Sequence, residues 1–226
     1  MSSHRLAALS AIGAMLLSGC SFGTFQTAHT QAPATVSVTP GIAQVFNEIE
    51  HEQGRGLATN VGGQLGGRVG LTERLDAGVG TFMSTGIKLD AKLNLLDPLQ
   101  RLALAPRLGA GRRWIERDVW MLEGGAIVSY RAFDWFEPYL GLTFANHWIE
   151  PQPPPVTLPP DVVGRSGSGD GLLQLSVGVE LAVTRHFGLL AEYSHWFVLN
   201  NDPGDYYRFL PANIAGLAVR IGRVRR

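Results

Sequence analysis

The sequence predicts an all-β chain: an antiparallel, up-and-down transmembrane β-barrel of about ten strands, with eight as the alternative count. Three observations lead there. Several segments alternate strictly between apolar and polar residues, the connections are tight at one end and long at the other, and aromatic residues gather near both ends of the segments. Composition agrees: charged residues are 17% of the chain while glycine occurs 28 times, a balance unusual for a soluble helical protein and ordinary for a glycine-rich β protein. With 19 Lys and Arg against 19 Asp and Glu, no basic excess points to nucleic acid.

The first residues are read apart from the fold. Met1 to Arg5 form a short basic start and Leu6 to Leu17 an apolar run. At about twelve residues it is too short to cross a bilayer of roughly 30 Å as a helix, but it suits an export signal. The run closes on Leu17-Ser18-Gly19-Cys20, which resembles the lipobox of bacterial lipoproteins. That likeness implies a signal peptide over 1–19 and lipidation of Cys20, and Ser21 after the cysteine implies delivery to the outer membrane. Cys20 is the only cysteine, so no internal disulfide is available. Residues 20–33 are small and polar without apolar periodicity and are expected to be a flexible tether before a barrel domain over 34–226.

Within that domain Val61, Leu65, Val69 and Leu71 share one parity, against Gln64, Arg68 and Thr72 on the other. Successive side chains of a strand point to opposite faces, so this is a strand with one apolar side. The same test succeeds for Leu75 to Thr81, Ile87 to Leu95 and Leu173 to Val183. Looser alternation marks 34–48, 101–113, 117–131, 135–149, 187–198 and 208–223, where Pro106, Pro138 and Pro211 are expected to mark bulges or strand ends. Short turns follow at Leu71 to Leu75, Leu96 to Leu99, Tyr130 to Asp134 and Val183 to Phe187. The opposite connections include Ile49 to Ala58, Glu150 to Asp170 and Leu199 to Tyr207. An even strand count puts both termini at the tight end.

Alternation alone does not say which parity faces outward. The apolar face lies outside in a membrane barrel and inside in a lipid-anchored, soluble periplasmic barrel that holds an apolar ligand; both alternatives stay open at this point. Glycines on the polar parity, among them Gly62, Gly66, Gly70, Gly78, Gly80, Gly178 and Gly222, suit a crowded interior. Tyr130, Phe133, Trp135, Phe136 and Phe187 at the tight end, with Trp114, Trp120, Trp148, Trp196, Tyr206, Tyr207 and Phe209 at the other, suit two interfacial girdles.

With the start Phe25-Gln26-Thr27-Ala28 and the hairpin from Val69 to Gly78, the chain resembles small outer-membrane β-barrel proteins, in particular their lipoprotein members. The resemblance implies an outer-membrane location, a lipid anchor reached from the periplasmic side, and the barrel assembly and lipoprotein sorting machineries as partners beside outer-membrane lipid. Gly216, Val219 and Ile221 match the middle of the family's terminal assembly signal, and Arg223 to Arg226 depart from its aromatic end.

For chemistry, Arg68, Arg74, Lys88, Lys92, Arg107, Arg131 and Arg220 with Asp76, Asp90, Glu123, Glu137, Glu180 and Glu192 are expected inside the lumen. They would line a narrow pore, bind an ionic ligand or pair with one another, and pairing is the plainer outcome for buried charges. A rim-sited hydrolase or lipid-modifying enzyme would draw on His51, His147 and His195 with Glu48, Glu50, Asp170, Asp202 and Asp205, but no motif places a nucleophile, and Ser166 and Ser168 lie in a Gly-Ser stretch. No catalytic residue, metal ligand or cofactor is assigned: the histidines lack ligand spacing, and Gly63 to Gly67 lie in a strand with no helix after it. The proline-rich loop at 150–170 is the expected contact for an external partner. The expected role is structural or surface-interacting.

Overall fold

The computed structural model describes residues 25–51, 54–82, 86–115, 117–149, 170–199 and 212–222. Ten strands follow one another: β1 (Val36–His51), β2 (Gly54–Gly70), β3 (Leu75–Phe82), β4 (Gly86–Leu93), β5 (Leu102–Ile115), β6 (Arg117–Tyr130), β7 (Phe136–Ile149), β8 (Asp170–Ala182), β9 (Phe187–Val198) and β10 (Ala212–Gly222). Each pairs with its chain neighbours, and β10 closes on β1, giving a closed antiparallel barrel. The higher of the two expected strand counts is the observed one.

Two expectations are corrected. Ile49 to Ala58 is not a loop: β1 and β2 stay paired up to His51 and Gly54, with Glu50 opposite Arg55. Pro106 and Pro138 make no bulges, because the register runs through them unshifted, Pro106 opposite Ala126 and Pro138 opposite Val179. A proline forfeits only its own donor, and the ladder absorbs that without an extra residue. Pro211 lies outside the described residues.

The alternation now acquires a direction. β4 reads buried and exposed in strict succession, with Leu89 60% exposed and Asp90 8%. Leu65, Leu108, Leu142, Val177 and Leu217 are likewise exposed, while Asp76, Glu123, Glu180 and Arg220 are buried. An apolar face exposed all round the wall exceeds by far what water tolerates on a soluble protein. A closed barrel leaves no edge groups for lipid to meet wherever its wall is complete. The chain is therefore a transmembrane barrel. The soluble alternative needs the apolar parity inside, and the polar lumen overturns it.

Aromatic residues mark both boundaries of the apolar band. At the tight end Tyr130, Phe133 and Trp135 are exposed, and the rings of Phe133 and Trp135 stack at 5.7 Å. At the other end Trp114, Trp120 and Trp148 are exposed, with the Arg112 guanidinium 4.9 Å over the Trp120 ring. Such amphipathic rings suit the headgroup level. Trp196 is a correction: it shares parity with Glu192 and Ser194, is 5% exposed, and belongs to the lumen. Tyr206, Tyr207 and Phe209 lie outside the described residues.

Candidate functional site

The lumen is where the chain concentrates its polar chemistry. Polar parity on β2, β3 and β4 brings Arg68, Asp76 and Asp90 together. The Arg68 guanidinium donates to Asp76 through Nε at 3.0 Å and to Asp90 through Nη1 at 2.8 Å. Lys92 stands 3.6 Å from Asp76. Glu123 on β6 accepts from Lys88 and Arg107, both at 3.0 Å, and Arg220 donates to Glu180 at 2.7 Å. Arg68, Lys88, Lys92, Arg107 and Arg220 thus each stand beside a lumen carboxylate, as charges removed from water require.

A second set of partners comes from the residues expected to be a free tether. Over 25–31 that expectation is corrected: the segment lies inside the barrel, and Pro33 is exposed beside Gly70 at its mouth. Gln31 N–H donates to Asp76 at 3.0 Å, and Thr30 Oγ1 to the Glu73 carbonyl at 2.8 Å. The His29 ring meets Glu137 at 2.7 Å, and Ala28 N–H donates to Ser129 Oγ at 3.1 Å. Lys92 Nζ donates to the carbonyls of Thr27 and His29 at 2.7 and 2.9 Å. Phe25 N–H donates to Glu192 at 2.8 Å, beside the Tyr139 hydroxyl on the same carboxylate at 2.7 Å. From Gln31 near the tight end to Phe25 beside Glu192 and Gly216, the backbone climbs to mid-barrel. It has no regular structure of its own, so its backbone groups need lumen partners, and the lumen supplies them.

The segment turns into β1 at a tight reversal. Ala34 takes φ 56°, its N–H donates to the Gly70 carbonyl at 2.9 Å, and Gly70 N–H returns to Thr35 at 3.0 Å. Phe25 also adopts a left-handed φ of 39°, a conformation uncommon for a bulky residue and held here by packing on Leu190 and Ala218. Three apolar layers thus cross the lumen. Ala28 packs with Ala103, Ala105, Ile127 and Tyr139 near the tight end, Phe25 forms the middle layer, and Val45, Met121, Leu172, Trp196 and Ile214 form the outer one. A cavity of about 60 Å³ beside Phe25 and Gln26, bordered by Gln64, Arg68, Lys88 and Asp90, has room for a few water molecules.

Crowding explains particular lumen glycines. A methyl group on Gly216 would collide with the Phe25 ring and stand 3.0 Å from the Ile42 carbonyl. Gly216→Ala is therefore expected to cost about 1–3 kcal/mol by overpacking, and adding Phe25→Ala in the same chain should recover most of it. Guanidinium unfolding of the two variants checks this; an unchanged penalty in the double variant would place the ring elsewhere.

Arg74 is corrected from lumen to surface: it is exposed in the β2–β3 turn, where its N–H caps on Thr72 Oγ1 at 3.2 Å. Arg131 is half-buried at the rim, 3.8 Å from Glu137. His147 is buried on the lumen side, whereas His195 faces outward and bonds Asn213 at 2.7 Å. The two face opposite sides of the wall and cannot share one site. Cys20, Asp202, Asp205, Ser166, Ser168 and nearly all of the 150–170 loop lie outside the described residues, as do the side chains of Glu48, Glu50, His51 and Asp170. Sequence reasoning missed the plugging role of Phe25–Gln31; the Gln-Thr-Ala-His-Thr-Gln run has no periodicity, and only its density of hydrogen-bonding side chains hinted at buried use.

No family model and no curated protein matches the chain. Among solved structures it is similar to the translocator domain of the autotransporter NalP from Neisseria meningitidis, at 12% identity with a TM-score of 0.46, covering 96% of this chain and 94% of that one. It is also similar to the N-terminal β-barrel domain of Pseudomonas aeruginosa OprF at 13% identity and 0.38, over 85% and 99%. The outer-membrane protease OmpT from Escherichia coli matches at 11% identity and 0.40, over 87% and 98%. At these scores the functional reading rests on the chain's own geometry.

Proposed function

We propose that this chain is an outer-membrane barrel lipoprotein with a closed lumen, acting as a structural or surface-interaction protein rather than an open channel. The observation that carries this reading is the lumen filled by paired charges and by Phe25–Gln31, inside a wall whose exterior is apolar. The lipobox ending at Cys20 supports a lipid anchor; four residues separate Cys20 from Phe25, a reach of at most about 18 Å over five residue steps. Lipidation is tested by palmitate labelling, which Cys20→Ala should abolish.

A narrow pore is the finer alternative, and conductance separates the two. The mature chain in a planar bilayer is expected to show no resolvable channel steps, while the unboiled protein migrates apart from the boiled one in a mild detergent gel. Steady conductance from the heat-shifting protein would replace the closed-barrel reading by a pore; absence of the shift would count against a detergent-resistant barrel altogether.

A further inference from the structure

On the outer wall, the lipid-facing positions of β8 to β10 include large apolar side chains such as Val177, Leu189 and Leu217, all exposed. Two positions among them are small. Ala191 on β9 lies opposite Val179 and Leu217, and Ala215 on β10 lies opposite Tyr193 and, across the closing seam, Gln44. Where larger side chains are missing, the wall has a groove of about 740 Å³, floored by the two alanines and flanked by Ile42, Val177, Tyr193 and Leu217. Neighbouring strands are roughly 4.8 Å apart, so a slot one strand wide takes one hydrocarbon chain.

The upper end of this groove is polar. Two residues along β10 from Ala215, Asn213 stands opposite His195 of β9, both half-buried on the outer face. Asn213 Oδ1 accepts from the Tyr193 hydroxyl and from His195 Nδ1, each at 2.7 Å. His195 Nδ1 therefore carries the ring proton, and Nε2 keeps its lone pair. Phe197 meets the ring edge-on at 4.3 Å and fixes its plane. The trio thus presents one donor, Asn213 Nδ2, and one acceptor, His195 Nε2, and among the described residues neither has a protein partner.

Depth narrows the occupant. Counted from the tight end, His195 and Asn213 stand eight and nine residues along their strands, whereas Trp120 and Trp148 stand ten and twelve along theirs. At roughly 2.5 Å of height per residue of a tilted strand, the pair lies about 20 Å into an apolar band roughly 25 Å tall. That is beneath the tryptophan boundary, at the level where acyl chains join their headgroup.

We infer that this groove binds a lipid with an amide-linked acyl chain, the chain lying over Ala191 and Ala215 and the linkage bonded to Asn213 and His195; this rests on the outer-membrane reading and deepens it. An amide offers its carbonyl to Asn213 Nδ2 and its N–H to His195 Nε2. An ester offers acceptors alone and leaves Nε2 without a donor. Polar groups left unmet at membrane depth are costly, so the two linkages are told apart.

The test uses the mature chain in mixed detergent micelles with equal amounts of a glucosamine lipid carrying an amide-linked acyl chain and its all-ester counterpart of the same chain length. Retained lipid is read by native mass spectrometry. Wild-type protein is expected to retain the amide lipid about tenfold over the ester, and His195→Phe, which removes the acceptor but keeps a ring beside Phe197, to bring the ratio within about twofold of unity. Ala215→Leu fills the groove and should lose most of both lipids. Both variants place apolar side chains on the lipid-facing wall, so the heat shift should persist in each and show that it folds. Equal retention of the two lipids by wild-type protein, or an unchanged ratio in heat-shifting His195→Phe, overturns the inference and leaves the barrel reading standing. A dimer that displaces both lipids, trapped as a disulfide in an Ala215→Cys variant, would assign the groove to a second copy and overturn it likewise. Loss of the heat shift in wild-type protein would instead strike the barrel reading beneath it.

Discussion

Leu89→Arg is expected to lose about 2–4 kcal/mol of stability in the bilayer and to leave most of the protein unboiled yet unshifted on a mild detergent gel. Leu89 is 60% exposed on β4, on the apolar outer face of the wall, so its side chain meets hydrocarbon and not water. A guanidinium there must either lose its hydration or distort the bilayer around it, and the cost is greatest at the midplane. Val177→Arg on the far wall, with Val177 51% exposed, should behave alike. Asp90→Leu, one residue away, is expected to fail for a different reason, by removing one of the two carboxylates that hold Arg68 in the lumen. The comparison that decides is bilayer against detergent: Leu89→Arg should be rescued in a zwitterionic micelle, whose surface lets the charge reach water, and Asp90→Leu should not. Normal assembly of Leu89→Arg into vesicles would overturn the assignment of the outer face.

The second large effect is expected at Asp76. Its carboxylate is fully buried and accepts from Arg68, from the Gln31 N–H at 3.0 Å, and faces Lys92 at 3.6 Å. Asp76→Ala removes the anion shared by two cations and one backbone donor, and stranding buried charges in this way costs about 3–5 kcal/mol. The loss should appear in two places at once. Guanidinium unfolding should shift to lower denaturant, and a protease added from the tight end should clip the 25–33 segment, which has lost one of its anchors. Adding Lys92→Met to Asp76→Ala should recover part of the stability by removing one stranded cation. A change below about 1 kcal/mol in Asp76→Ala would mean that the network is hydrated and the lumen more open than its packing indicates.

Both predictions use a period-two pattern that was legible in the chain alone. Leu89 against Asp90, or Val177 against Gly178, identifies the two sides of a strand from local chemistry, because side-chain direction alternates at every residue. The tight turns were legible for the same reason, being short polar interruptions of that pattern. The limits of the long hairpin were not: Ile49 to Ala58 carries glycines and charges that read as a loop, and pairing between β1 and β2 overrides that composition. Arg74 shows the converse error, since extending the alternation one residue beyond the strand placed a turn residue in the lumen.

By itself the sequence determined the antiparallel order and the two faces of the wall and narrowed the strand number to ten or eight, all of which follow from local alternation and connection length. Only the tertiary structure decided which face is outside, which charge answers which, and that Phe25–Gln31 fills the barrel. Each of these depends on residues far apart in the chain, such as Gln31 with Asp76 or Phe25 with Glu192 and Gly216. An irregular polar segment carries no periodicity of its own, so its place is set by the hydrogen bonds that the lumen side chains offer and not by any pattern it bears.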